Sequence, residues 1–167
     1  MSNRSIHTLL KNWDEECPLT REEAVEVLNL PEEEMDSLME YAYALRTKYK
    51  GKKVSVQLLT NVRSGNCTQN CAYCAQSKDS QAEIEKYKRV SDEKLYGDND
   101  LVDEKHLARH CIGLSGIGFS DEEIEDLADR IREMKKKDTQ ICCSIGFLTE
   151  KQARILKDAG LDRINHN

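Results

Sequence analysis

Three cysteines that fall close together carry the strongest chemical signal in the sequence. Cys67, Cys71 and Cys74 lie in segment 64–77 with the spacing Cys-x3-Cys-x2-Cys. An iron–sulfur cube has four irons held by cysteine thiolates, so three cysteines leave one iron without a protein ligand. That iron can bind a small molecule directly. The spacing therefore predicts a reactive iron–sulfur centre rather than a closed electron carrier.

Two other interpretations of these cysteines remain open at this point. A structural zinc site takes four protein ligands, and Cys111 or a histidine could supply the fourth. Three unrelated buried cysteines would be the least specific explanation, which the tight clustering disfavours. A disulfide framework is not expected, because the seven cysteines are odd in number and the N-terminus has no apolar core typical of a secretory signal.

The overall composition limits the classes of function. The 167 residues carry a net charge of −6, whereas general nucleic-acid binding is usually accompanied by a basic excess. No apolar run approaches the roughly 20 residues that span a bilayer. We therefore expect a cytoplasmic protein that binds neither nucleic acid nor membrane.

The elements that must position the cysteines follow from hydrophobic periodicity. It predicts a helical segment over residues 1–50 and alternating strands and helices over residues 51–167. Strands are predicted at 54–59, 109–115 and 140–146, and a further one starts at 163. This alternation implies parallel strands with helical crossovers. A helix is predicted from about Ser91, with an interruption at Gly97–Asp100 because Gly, Asn and Asp favour turns.

The cysteine segment resembles that of radical S-adenosylmethionine enzymes, since it follows the first strand of an α/β pattern and has Tyr73 before its third cysteine. The longer string Tyr73–Ser77 resembles biotin synthases and their close relatives. The similarity runs from about Leu19 to Asn167. It implies an α/β fold in which N-terminal helices precede the first half of a TIM-type (β/α) barrel, incomplete at about four strands.

The resemblance also implies a reaction and its partners. Cys67, Cys71 and Cys74 would hold a 4Fe-4S cluster whose free iron binds S-adenosylmethionine and cleaves it reductively to a 5′-deoxyadenosyl radical. No catalytic side chain is implied beyond the cluster. The full-length family acts as a sulfurtransferase that inserts sulfur into dethiobiotin, in biotin biosynthesis. A flavodoxin or ferredoxin would donate the electron, and a homodimer is among the assemblies that the family allows.

Further residues of the cofactor site are implied by the same resemblance. Tyr73 would lie against the adenine, and Ser115 with Gly116 would approach the methionine moiety. Asn165 and Asn167 match the family's Asn-His-Asn motif, which contacts the ribose and a ureido-bearing substrate. The histidine between them could serve the site, because barrel chemistry collects at strand ends, or be a hydrogen-bonded core residue.

Two more cysteines match ligands of the family's second cluster, a 2Fe-2S centre. These are Cys111 and Cys142. Strand alternation places Cys142 on one face of its strand and Cys143 on the other, so only one of the two can point into a barrel. Cys17 and Cys143 are expected to be structural, and His106 and His110 to have no catalytic role.

The length of the sequence restricts what these residues can do. A complete (β/α)8 barrel takes about 250 residues, whereas about 115 follow the N-terminal helices. We therefore expect a half barrel, with the remaining ligands of the second cluster beyond residue 167. Two other functions stay open. One is a biotin-synthase-related paralogue that acts in cofactor maturation, and the other is a non-enzymatic iron–sulfur or zinc-binding module.

Overall fold

The structure, a computed structural model, describes residues 18–166 together with Ile6 and Leu10. The expectations for Cys17 and Asn167 lie outside these residues. The chain divides into two compact units, Met1–Val54 and Ser55–Asn167. Over the described residues, no helix has the length and apolar character needed to cross a membrane.

The first unit contains helix α1 (Arg21–Leu28), a short 3₁₀ turn (Glu32–Glu34) and helix α2 (Met35–Lys50). Helix α1 begins with a capping box, in which the Thr20 hydroxyl and the Glu23 carboxylate each accept the other residue's N–H. Apolar side chains from this unit form a small cluster of their own: Ile6, Leu10, Leu19, Val27, Leu30, Leu38 and Tyr41.

The second unit is a sheet of four parallel strands in sequence order, with a helix in each connection. The strands are β1 (Gln57–Arg63), β2 (Arg109–Leu114), β3 (Ile141–Ser144) and β4 (Arg163–Asn165). The helices are α3 (Asp92–Glu104), α4 (Asp121–Met134) and α5 (Glu150–Asp158). This topology confirms the predicted α/β class with parallel strands.

One face of the sheet packs against the helices and forms the core. In β2 and β3, alternate residues such as Ile112, Ile141 and Cys143 are fully buried there. Burial of each large aliphatic side chain is worth about 1.5–3 kcal/mol. Because side chains alternate along a strand, this burial also fixes which residues face the other way. Cys111 and Cys142 consequently lie on the opposite, more open face.

The predicted interruption at Gly97–Asp100 is wrong, because helix α3 runs through it without a break. The polar side chains that favour a turn locally are buried here and hydrogen-bonded. Asp98 accepts a 2.6 Å hydrogen bond from the hydroxyl of Thr60 in β1. The ring nitrogens of His110 lie 2.9 Å from that hydroxyl and 3.3 Å from the Asn99 side-chain oxygen. Contacts with the sheet therefore outweigh local turn preference.

Burial also sets the charge of this network. The desolvation of His110 lowers its pKa to about 4, so its ring is neutral at pH 7. Lys94 bonds both oxygens of Asp98, at 2.6 and 2.7 Å, and these bonds together with the Thr60 hydroxyl lower the pKa of Asp98 despite its burial. Strand β1 and helix α3 are thus joined by a satisfied polar cluster rather than by apolar contact alone.

Two threonines of equal burial provide a test of this network. Thr60→Val should lower the free energy of unfolding by about 1–3 kcal/mol, because it removes a hydroxyl on which buried partners depend. Thr139 is equally buried, but its hydroxyl has no hydrogen-bond partner among the described residues. Thr139→Val should therefore be neutral or stabilising. Urea unfolding followed by circular dichroism measures both, and equal losses would contradict the network.

Candidate functional site

A cavity of about 410 Å³ lies at the edge of the sheet where the parallel strands end. This volume is within the range of small-molecule sites. Cys67, Cys71 and Cys74 line it from the loop after β1, and residues 115–117 and 145–147 line it from the loops after β2 and β3. The structure thus brings the three cysteines of the motif to one cavity together with the neighbouring strand ends.

The cysteine loop is closed on itself by backbone hydrogen bonds. It begins with Gly65 and Asn66, which both have positive φ, at 74° and 56°. The N–H of Cys67 donates to the Gln76 carbonyl at 3.0 Å, and the Lys78 N–H donates to the Cys67 carbonyl at 2.9 Å. These two bonds therefore hold the start of the loop, at Cys67, against its end, at Gln76 and Lys78.

The thiols of this loop differ in exposure. Cys71 is exposed, whereas Cys67 and Cys74 are half-buried. Over the part of the chain that is described, no three His, Cys, Asp or Glu side chains lie close enough to hold one metal ion. A zinc ion needs all its ligands around a single atom, whereas a cube receives each thiolate on a different iron. Three separate thiolates on one cavity fit the cube as donors.

Of the other residues expected at the cofactor, some line the cavity and others do not. Ser115 and Gly116 line the cavity. Tyr73 is 81% exposed and is not among the lining residues. Asn165 lies in β4, where its carbonyl accepts a hydrogen bond from the Ile145 N–H. The structure therefore brings the β2 end to the cysteines and leaves Tyr73 on the surface of their loop.

His166 lines the cavity as well, and its ring contacts the loop after β3. Its Nδ1 lies 3.1 Å from the Ile145 carbonyl, and its ring lies 5.0 Å from that of Phe147. A carbonyl can only accept, so Nδ1 carries a proton and donates it to this bond. The sequence alone does not decide whether this histidine is a core residue or a site residue, and it gives no indication of Phe147.

Cys111 and Cys142 are direct neighbours in the register of β2 and β3. They lie two residues before Gly113 and Ser144, which line the cavity on the same sheet face. Burial raises the pKa of the Cys111 thiol, and Cys142 raises it further through its charge and a hydrogen bond. The structure therefore brings these two cysteines together on the cavity's face of the sheet, two residues along the strands from the cavity lining.

The remaining cysteine and histidine candidates lie elsewhere. Cys143 is fully buried on the helix side, and burial raises its pKa to about 12, so its thiol is protonated and packed in the core. His110 belongs to the buried network beside α3. His106 is exposed at the end of that helix, with φ of 50°. None of the three lines the cavity.

Four parallel strands with helical crossovers and a cysteine-lined cavity at their carboxyl ends define a β/α protein of the barrel type with a candidate metal-cofactor site. The Radical SAM superfamily profile matches residues 61–167, and the chain belongs to that superfamily. This confirms the resemblance seen in the sequence.

Individual relatives and a solved structure refine this assignment. Over 150 residues the chain is 39% identical to the biotin synthases of Geobacillus kaustophilus (strain HTA426) and Bacillus subtilis (strain 168). The alignment covers 89% of this chain and 45% of each relative, so the chain spans about half the length of the curated relatives it matches. The crystal structure of methylornithine synthase matches with a TM-score of 0.74 and 16% identity, covering 95% of this chain and 45% of that one. The fold is therefore that of a TIM-type barrel, incomplete at four strands.

Gly146 provides a test of how the cavity wall is built. A Cβ at Gly146 would collide with the carbonyl oxygen of Ile117, so the loops after β2 and β3 touch backbone to backbone. Gly146→Ala should lower the free energy of unfolding by roughly 1–3 kcal/mol, as overpacking does. Gly118→Ala is the matched control, because a Cβ there meets nothing within 4 Å. Urea unfolding of both variants checks this, and a neutral Gly146→Ala would contradict the contact.

Proposed function

We propose that the chain carries the cofactor-binding part of a radical S-adenosylmethionine enzyme of the biotin synthase type. Cys67, Cys71 and Cys74 would hold a 4Fe-4S cluster, and the cavity beside them would bind S-adenosylmethionine. When bound, the cluster would supply the electron that cleaves S-adenosylmethionine to methionine and a 5′-deoxyadenosyl radical. The observation that carries this proposal is the common cavity of the three cysteines and the β2 and β3 loops.

The protein's own residues would bind and orient the cofactor. The loop containing Gly116 offers its backbone to the methionine moiety, since it forms the wall next to the cysteines. Tyr73 would cover the adenine from the surface of the cysteine loop. Asn165 and Asn167 would bind the ribose and a ureido-bearing substrate. His166, whose Nδ1 donates to the Ile145 carbonyl, would contribute its ring to the cavity wall.

The whole protein's chemistry is part of the same proposal. Cys111 and Cys142 would be two ligands of a 2Fe-2S cluster that donates sulfur to a dethiobiotin-like substrate. Two thiolates are half of the usual four-ligand complement, so residues 1–167 alone should not assemble this second centre. A flavodoxin or ferredoxin would deliver the electron in the cytoplasm, and a homodimer is among the assemblies that this proposal allows.

Anaerobic reconstitution with ferrous iron and sulfide tests the cluster. Iron and sulfide should each approach about four per chain, the content of one cube. Replacing Cys67, Cys71 or Cys74 by Ala should abolish this, because two thiolates do not retain the cluster. Addition of S-adenosylmethionine should change the electron paramagnetic resonance spectrum of the reduced protein.

The controls separate the three sets of cysteines. Cys143→Ala should keep the iron content per folded chain, since this thiol is buried on the far face of the sheet. Cys142→Ala should also leave about four irons. A colourless protein that holds one zinc would overturn the proposal. Six irons that fall to four in Cys142→Ala would show that the second cluster forms.

The reduced, reconstituted protein should slowly cleave S-adenosylmethionine, with 5′-deoxyadenosine measured by chromatography. Cleavage should be uncoupled from product, because the chain supplies only part of the second cluster's ligands. Cys71→Ala is the control for cleavage that does not depend on the cluster. Biotin formed from dethiobiotin by residues 1–167 alone would contradict this expectation.

A further inference from the structure

Gly65, the residue at which the cysteine loop begins, is held on both sides by side chains. Its N–H donates to Oε1 of Gln76 at 2.5 Å, and its carbonyl accepts a hydrogen bond from the Ser115 hydroxyl at 2.7 Å. Gly65 is buried and has a positive φ of 74°. One residue with an uncommon backbone conformation is thus held by the far end of its own loop and by the residue that follows β2.

Gln76 connects the two ends of the loop through both its side chain and its backbone. Its side-chain oxygen holds Gly65, and its backbone carbonyl accepts the N–H of Cys67. Ser64 also lies 3.2 Å from this side-chain oxygen, but its hydroxyl has a shorter bond, 2.8 Å, to the Glu85 carbonyl. Loss of the Gln76 side chain would therefore free the N–H of Gly65. Ser64 would remain held, because its hydroxyl also donates to the Glu85 carbonyl.

Ser115 is anchored in the sheet and almost fully buried, at 8% exposure. Its hydroxyl donates its hydrogen to the Gly65 carbonyl, so this hydrogen is not free to bond a cofactor. Its own N–H donates to the carbonyl of Arg63, the last residue of β1. Ser115 therefore ties the loop entry to the rigid part of the fold.

We propose that Gln76 and Ser115 are positioning residues for the cluster, which hold Gly65 in place and thereby fix where Cys67 stands. This rests on the proposed cluster-binding function of the cysteine loop. Ordering a backbone residue costs about 1–2 kcal/mol, so a loop that is fixed before iron arrives does not have to be ordered during cluster assembly. The hydrogen bonds of Gln76 and Ser115 to Gly65, here called the clamp, preorganise the thiolate of Cys67 relative to the loop after β2.

The metal-free protein gives the most direct readout. The Gly65 amide donates to the Gln76 side chain, so its hydrogen exchange reports that bond. Gln76→Ala should accelerate exchange at Gly65 and Cys67 roughly tenfold. Ser115→Ala should accelerate it in the same segment, to a smaller extent. Gln81→Ala and Ser80→Ala are matched controls, because both residues lie outside the cavity, and they should leave exchange unchanged.

A conservative variant separates positioning from general stability. Gln76→Glu keeps the oxygen that accepts the Gly65 N–H, so exchange should remain near that of the wild type. The added negative charge beside the cysteines should shift the cluster's reduction potential to more negative values, because it favours the oxidised, less negative cluster. In Gln76→Ala, a chelator should remove iron several-fold faster than in wild type or Gln76→Glu.

The failures of the two proposals are distinguishable. A wild-type chain that assembles no cluster would overturn the proposed function, whatever the exchange data show. A normal cluster in wild type with unchanged Gly65 exchange in Gln76→Ala would overturn the positioning role alone. Equal acceleration in Gln76→Glu and Gln76→Ala would also overturn it, because the retained acceptor would then have no effect.

Discussion

The burial of one face of a parallel sheet against three helices is the constraint on which the site depends. Apolar side chains from β2, β3, α4 and α5 share this core, and their burial is the main source of stability of the second unit. Once Cys143 is in this core, strand alternation forces Cys142 onto the other face. Parallel pairing then brings the carboxyl ends of all four strands, and their loops, to one edge.

The edge becomes a cavity because its loops are held at short range by specific contacts. The first loop is clamped at Gly65, and the next two meet where Gly146 leaves room for the Ile117 carbonyl. The Phe147 N–H donates to that same carbonyl at 2.7 Å. The cysteines therefore lie on a loop whose backbone is held in place at the cavity wall. Placement of reactive groups by a rigid shell is what cofactor chemistry requires.

Much of this arrangement could be predicted from the sequence, since its signals are local. Hydrophobic periodicity located the helices and strands, and the cysteine spacing indicated the candidate site. The interruption at Gly97–Asp100 was wrong because turn preference is a local property, whereas Asp98 is satisfied by Thr60, 38 residues away. Polar Thr60 also lies past the predicted end of the first strand, which extends to Arg63.

The clamp on the cysteine loop could not be predicted for a related reason. The bond from Ser115 to Gly65 spans 50 residues, and neither residue type by itself indicates such a contact. Gln76 was visible only as part of the string around Tyr73, with no sign of which group it holds. Sequence patterns identify the ligands of a site more readily than the residues that support them, since ligands have characteristic spacing and supports depend on tertiary contact.

The backbone contact at Gly146 has a consequence for how such a site can diversify. The loops after β2 and β3 share one surface with no side chain between them, so neither can change its path without the other. Alteration of ligand preference by loop exchange would therefore have to replace both loops as a matched pair. The cysteine loop is fastened through Ser115, the first residue after β2, so a replacement pair would have to retain a hydroxyl at this position to keep the cysteine loop in place.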